Sequence, residues 1–203
     1  MTRNLLLSFV LTVALTAGVS PLWAAVSPGD AAPDFTLTDT RGTQHQLSNH
    51  KGSFVVLEWT NYDCPFVRKH YSSGNMQSLQ EKYAAQGVVW FSVSTSAPGK
   101  QGHYLPERWN ELIAEKGAKP SALLLDTTGE VGKSYGATAT PHMFIVNPEG
   151  VVIYQGAIDD TPTADPADIP ASTNYVSAAL DRALQGQEPE TPSTQPYGCS
   201  VKY

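Results

Sequence analysis

The residues of this 203-residue chain best suited to chemistry are its two cysteines, Cys64 and Cys199. Cys64 lies in Val55-Val56-Leu57-Glu58-Trp59-Thr60-Asn61-Tyr62-Asp63-Cys64-Pro65-Phe66-Val67-Arg68-Lys69-His70-Tyr71. An apolar, β-branched run stops there at a polar turn, and the cysteine sits where helical character begins. A thiol at that point is expected to face the unsatisfied N–H groups of the first helical turn, which stabilise the thiolate, the reactive form. Pro65 suits the first helical position, because its missing N–H would have had no intrahelical partner. Arg68, one turn further on, shares the face of Cys64 and adds a cation to the same end, while Lys69 and His70 point elsewhere. These flanks nominate Cys64 as a redox nucleophile. The competing reading is an inert buried thiol, or half of a static disulfide.

Cys199 lies in Pro196-Tyr197-Gly198-Cys199-Ser200-Val201-Lys202-Tyr203, on a Pro-rich tail that begins near Gly186. Extended chain from Gly186 to Cys199 spans about 40 Å at roughly 3.1 Å per residue, enough to reach the Cys64 end of a sheet. Three roles stay open. Cys199 could resolve an oxidised Cys64 by thiol–disulfide exchange. It could form a permanent staple with Cys64, worth roughly 5 kcal/mol in the chain-entropy picture. It could also bond a second subunit.

Other chemistries have little support. The five histidines, His45, His50, His70, His103 and His142, show no metal-ligand spacing. No glycine-rich phosphate loop precedes a helix, and Gly-x-Ser-x-Gly is absent. Neither a metal nor a cofactor is expected. A net charge of −6 without a basic run argues against nucleic acid or an anionic membrane as partner. Residues 1–24 read as a secretory signal peptide, with Arg3 ahead of an apolar stretch from Leu5 to Ala17 and small residues at Ala24 and Ala25. That stretch is too short for a convincing membrane span, so an exported chain with no membrane segment after processing is expected, in a periplasm or outside the cell.

The elements that must position the two thiols follow from periodicity. A short leading hairpin is predicted from Asp34-Phe35-Thr36-Leu37 to Gln44-His45-Gln46-Leu47. Phe54–Trp59 and Val88–Val93 read as buried central strands. The pattern between Pro65 and Gln86 is helical, with a break possible at Ser72-Ser73-Gly74. Further elements are a helix over 106–116, a strand over 122–125 and a helical turn over 131–135. Strands over 142–146 and 151–155 form a hairpin around Asn147-Pro148-Glu149-Gly150. Residues 159–171 read as a surface loop, 174–184 as an amphipathic helix, and 186 onward as an extended tail. Trp59 and Tyr62 are expected to pack around the turn. This order implies an α/β fold, a mixed sheet covered on both faces.

Phe54 to Cys64-Pro65 at a strand end, Ala139-Thr140-Pro141 before a strand, and Asn147-Pro148-Glu149-Gly150 in a hairpin resemble the thioredoxin superfamily. Ala32-Pro33-Asp34-Phe35-Thr36-Leu37 resembles its redoxin branch, which includes peroxiredoxins and alkyl hydroperoxide reductases. The resemblance covers roughly residues 27–185 and leaves 186–203 as a tail carrying Cys199. It implies a thioredoxin-like sheet with the leading hairpin, a cis Pro141 beside the thiol, and Thr140 offering backbone groups to an extended substrate. It also implies a thiol oxidoreductase whose substrate is a peroxide or a protein disulfide, renewed by a thiol reductant, with Cys199 as resolving thiol. Val67 occupies the place of the second thioredoxin cysteine, so a C-x-x-C disulfide is impossible. Leu57 and Asn61 replace the proline and threonine of the peroxiredoxin pattern, although Asn61 could donate to a peroxide oxygen. Arg68, Arg108 and Arg182 are the only arginines after Cys64, and none matches the peroxiredoxin active-site arginine. The alternative on this fold is a non-catalytic module that holds an extended peptide beside Pro141 and carries a structural disulfide. His142 could lie near the thiol or merely pack.

Overall fold

The computed structural model describes residues 25–203; the expected signal peptide lies outside them. In chain order the elements are β1 (Thr36–Asp39), β2 (Gln44–Gln46), β3 (Val55–Trp59), α1 (Pro65–Ser72), α2 (Asn75–Ala84), β4 (Val89–Ser94), α3 (Pro106–Lys116) and β5 (Ala122–Leu125). They continue as α4 (Glu130–Tyr135), β6 (Ala139–Thr140), β7 (His142–Val146), β8 (Val152–Gly156), α5 (Tyr175–Ala183) and β9 (Cys199–Ser200). Seven strands form one sheet in the order β2-β1-β5-β4-β3-β7-β8, and β6 pairs with β9 apart from it. The sheet is mixed: β3, β4 and β5 run parallel, while β1 with β2, β1 with β5, β3 with β7 and β7 with β8 are antiparallel. The leading hairpin is present, Leu37 opposite His45.

All five residues of β3 are buried, because both faces of the sheet are covered and its alternate side chains enter different cores. Val56 joins Cys64, Val67, Tyr71, Trp90, Trp109 and Leu180, beneath α1, α2, α3 and α5. Leu57 and Trp59 join Phe91, Tyr135, Phe144 and Val201 on the opposite face, beneath α4 and the chain ends. The helical pattern from Pro65 onward does break where the sequence allowed it. Gly74, at φ +77°, takes a left-handed conformation that ends α1 and starts α2. The stretch 159–171, expected to be a plain surface loop, contains a 3₁₀ helix at Pro166–Ala171 and buries Asp159.

The tail is extended but docked along much of its length. Gln155 N–H donates to Pro192 O at 3.0 Å, and Thr194 N–H returns a bond to Gln155 O at 3.1 Å. Further on, Thr140 lies opposite Cys199 and Ala139 opposite Ser200. Ala97 N–H donates to Lys202 O at 2.8 Å, and the Tyr203 hydroxyl to Ala137 O at 2.7 Å. These bonds satisfy main-chain groups that would otherwise end unpaired at the rim of the sheet.

Candidate functional site at the Cys64–Cys199 pair

Cys64 is the N-cap residue of α1, with extended backbone (φ −71°, ψ 126°) and Pro65 as the first helical residue. Its carbonyl accepts the Arg68 N–H at 2.9 Å, and its own N–H donates to Asn61 O at 2.9 Å. The side chain departs from the sequence expectation. The thiol caps none of the helix N–H groups. Instead it donates to the Thr140 carbonyl at 3.1 Å, and it is fully buried. An N-cap residue has left helical φ/ψ, which here carries the sulfur across to β6 rather than along the helix axis.

Arg68 also departs from its expected place. It is exposed, and its Nη2 donates to the Asp63 carbonyl at 2.6 Å, bracing the residue before Cys64 rather than its sulfur. Asn61 is buried and holds the turn: its Oδ1 accepts the Asp63 N–H at 3.0 Å and its Nδ2 donates to Gln101 O at 3.3 Å. Its amide packs so closely on Gly102 that a Cβ there would lie 2.6 Å away. Thr140 and Pro141 are joined by a cis peptide bond. Thr140 stands between the two cysteines, since its carbonyl receives the Cys64 thiol and its backbone lies opposite Cys199.

Cys199 is half-buried, and both cysteines are free thiols. Burial pushes the Cys199 thiol up to about 11, and hydrogen bonding and charge from the adjoining Cys64 add to the rise; Lys202 and Arg68 oppose it weakly. Gly198 makes the approach possible. At φ +139° it has a backbone that L side chains rarely adopt, and a Cβ would collide with the Thr140 carbonyl oxygen.

Several residues that the sequence left in the background support this site. Glu58 on β3 is fully buried and accepts from Tyr71 OH at 2.8 Å, Trp90 Nε1 at 2.9 Å, Ser92 Oγ at 3.0 Å and Gln80 Nε2 at 3.2 Å. Burial raises its pKa, and the hydrogen bonds from Trp90, Tyr71 and Ser92 oppose that rise only in part. Lys69 and His70, taken from the sequence as pointing elsewhere on the helix, are buried against Asp159 and Tyr197. An apolar stretch with a lone acid, and a tyrosine two residues before Cys199 in a polar tail, were the only signals for these contacts. His142 is buried and neutral, held to about 4 by burial against a smaller opposing bond from Gln155. Its Nδ1 accepts the Thr138 N–H at 3.3 Å, so its Nε2–H faces Gln155 Oε1 at 3.2 Å. Both ring nitrogens are thereby occupied, and the ring stacks on Phe144, in the core opposite that of Cys64.

Among the described residues there is no group of three or more His, Cys, Asp or Glu placed to hold a metal ion, and no helix is long and apolar enough to cross a membrane.

The chain is similar to several known proteins. The AhpC/TSA family model matches residues 28–155. A thiol-disulfide oxidoreductase ResA of Geobacillus kaustophilus is 30% identical over 129 residues, covering 63% of this chain and 68% of its own. Among solved structures, an uncharacterized conserved protein from Geobacillus kaustophilus superposes with a TM-score of 0.74 at 28% identity, over 87% of this chain and 92% of that one. A Chlorobium tepidum structure described as a thiol:disulfide interchange protein DsbE gives a TM-score of 0.54 at 26% identity, over 64% of this chain and 85% of the other. On the family match across most of the folded core, with the thioredoxin-like sheet and the cysteine at the head of α1, this chain belongs to the AhpC/TSA family of thiol oxidoreductases.

Proposed function

We propose that this protein exchanges thiols and disulfides with other proteins through a reversible Cys64–Cys199 couple. The observation that carries the reading is the place of Cys199. It lies opposite Thr140, whose carbonyl receives the Cys64 thiol. In the exchange, the Cys64 thiolate attacks one sulfur of a partner disulfide. A Cys64–partner S–S bond forms, the partner's own S–S bond breaks, and the second partner sulfur leaves as a thiolate that takes up a proton. Cys199, deprotonated, then attacks the Cys64 sulfur and expels the partner as its second thiol. Two electrons pass to the partner, and the chain is left with a Cys64–Cys199 disulfide that a dithiol reductant reopens. Because Cys64 is fully buried, the first attack requires β9 to lift from β6, a pairing of only two residues on each strand.

A peroxide is the competing oxidant. Among the described residues no cation is hydrogen-bonded to the Cys64 sulfur, and the Arg68 guanidinium is turned to the Asp63 carbonyl, so the site offers no charged donor to polarise a peroxide. The leader-like segment at residues 1–24 supports a setting outside the cytoplasm, where such couples meet oxidised proteins.

The test is turnover of a disulfide-linked peptide with dithiothreitol as reductant. Cys64→Ser is expected to lower turnover at least 100-fold, and Cys199→Ser to accumulate a mixed disulfide on Cys64 that mass spectrometry maps. Cys64→Ser with turnover within twofold of wild type would refute the assignment.

A further inference from the structure

Two residues before Cys199, the tail sends a side chain into a buried polar socket that the exchange chemistry leaves unused. The socket is built by α1 and the loop after β8. Lys69 and Asp159 form an ion pair at 3.1 Å with side chains 0% and 2% exposed, and the His70 side chain is likewise 0% exposed. Lys69 Nζ also donates to Thr161 O at 2.7 Å. Into this cluster comes the Tyr197 hydroxyl, which donates to Asp159 Oδ1.

A phenolic hydroxyl has one proton to give and two lone pairs to fill. Here all three are used. The proton goes to Asp159, and the oxygen lies 3.3 Å from both Lys69 Nζ and His70 Nε2. His70 Nδ1 faces the Asn75 Nδ2 donor at 2.9 Å, which assigns its proton to Nε2 and aims it at Tyr197. Burial holds His70 neutral, at about 4, with Asp159 opposing and Lys69 reinforcing. The ring of Tyr197 meets Phe66 edge-on at 5.8 Å, and Lys69 Nζ lies 5.5 Å from its centroid.

Phe66, Lys69 and His70 all belong to α1, the helix that Cys64 caps. The nucleophile and two of the socket's three groups, Lys69 and His70, therefore share one helix, and only Gly198 separates the anchored tyrosine from Cys199. We propose that Tyr197 is the positioning residue of the resolving cysteine, its hydroxyl locking into the Lys69–His70–Asp159 socket to hold Cys199 against Cys64. The proposal rests on the Cys64–Cys199 exchange reading and adds to it the residue that sets how strongly the two thiols are coupled. A thiol on a loose tail meets its partner at millimolar effective concentration, whereas a fixed geometry raises that value by orders of magnitude. The same anchor keeps Cys64 covered, so loosening it slows resolution and opens the first attack.

The experiment compares wild type with Tyr197→Phe, which keeps the ring and removes the hydroxyl. The equilibrium between the Cys64–Cys199 disulfide and glutathione gives the effective concentration of the two thiols, first in the folded protein and then in urea. Tyr197→Phe is expected to lower it at least tenfold when folded, about 30 mV for a two-electron couple, and to leave it unchanged in urea. In a Cys199→Ser background, the same substitution is expected to speed alkylation of Cys64 at least tenfold, a readout that needs no disulfide. An effective concentration within twofold of wild type, or an unchanged alkylation rate, overturns the role of Tyr197. A wild-type protein that forms no Cys64–Cys199 disulfide in any glutathione buffer overturns the exchange reading itself, and so separates the two failures.

Discussion

A thiol that donates to a main-chain carbonyl is held in one direction, and at Cys64 that direction is set by Thr140 O, 3.1 Å away. The carbonyl belongs to the residue opposite Cys199, so one backbone group orients the first thiol and pairs with the strand of the second. Gly198 is the weak point of the arrangement, since a Cβ there meets the Thr140 carbonyl. Gly198→Ala is expected to lift β9 and speed iodoacetamide labelling of Cys64 at least tenfold; an unchanged rate would show that β9 does not need this close approach. Cys199 makes a pH prediction. Burial disfavours its thiolate, so the thiol titrates near 11 rather than near the ordinary 9.0. Its labelling rate in the reduced protein should keep climbing about tenfold per pH unit beyond pH 9, where an unperturbed thiol levels off. A plateau at pH 9 would contradict the burial. The place of Cys64 was legible in the sequence, because an apolar run that stops at a polar turn before Cys64-Pro65 marks a strand-to-helix turn. The aim of the Cys64 side chain was not, because it depends on a carbonyl 76 residues away.

The helix that carries Cys64 is held to the sheet by polar bonds as well as apolar contacts. Glu58 on β3 gathers donors from α1 (Tyr71), α2 (Gln80) and β4 (Trp90 and Ser92) in the core that also contains Cys64. Removing the acceptor would strand the buried Tyr71, Trp90 and Ser92 donors, while Gln80 Nε2 keeps the Tyr71 hydroxyl at 3.2 Å. Glu58→Ala should therefore destabilise the fold by about 3 kcal/mol or more, measured by urea unfolding; a loss under 1 kcal/mol would show that the surroundings repack or hydrate freely. The strands and helices around this knot follow from the pattern of apolar residues, and even the break at Gly74 was marked by Ser72-Ser73-Gly74. Lys69 and His70 were not readable in the same way. A lysine on an amphipathic helix is by default a solvated residue, and here its acceptors come from Asp159, in a segment that reads as surface loop, and from Tyr197, 128 residues further on. Local pattern carries no trace of a partner so distant.

Across the whole molecule, the tail closes the structure at both cores. Tyr197 and Cys199 pack against the core beneath α1, while Val201 is buried on the opposite face with Trp59 and Phe144. A Pro-rich, polar tail reads as mobile from composition alone; its docking comes from main-chain bonds to Gln155, Ala97 and Thr138 that no composition reports. Burial of charge-capable groups gives the fold a pH signature that a single substitution isolates. His142 titrates near 4 in the folded chain and near 6.5 when exposed, so between those values the unfolded state binds a proton that the folded state does not. Its contribution is complete above pH 6.5 and is lost as pH falls toward 4. The stability difference between wild type and His142→Gln should therefore shrink by about 2 kcal/mol from pH 7 to pH 4.5, read from urea midpoints; a constant difference would contradict the neutral, buried ring. Whether Cys64 and Cys199 form one reversible couple is read by titrating the reduced protein through a series of glutathione potentials, with mass-spectrometric mapping at each step. A reversible couple gives a single intramolecular Cys64–Cys199 disulfide, formed and reopened with a midpoint between about −180 and −270 mV. A midpoint below about −300 mV would mark a permanent staple, and a Cys199 disulfide between two chains, or none at all, would contradict the couple outright.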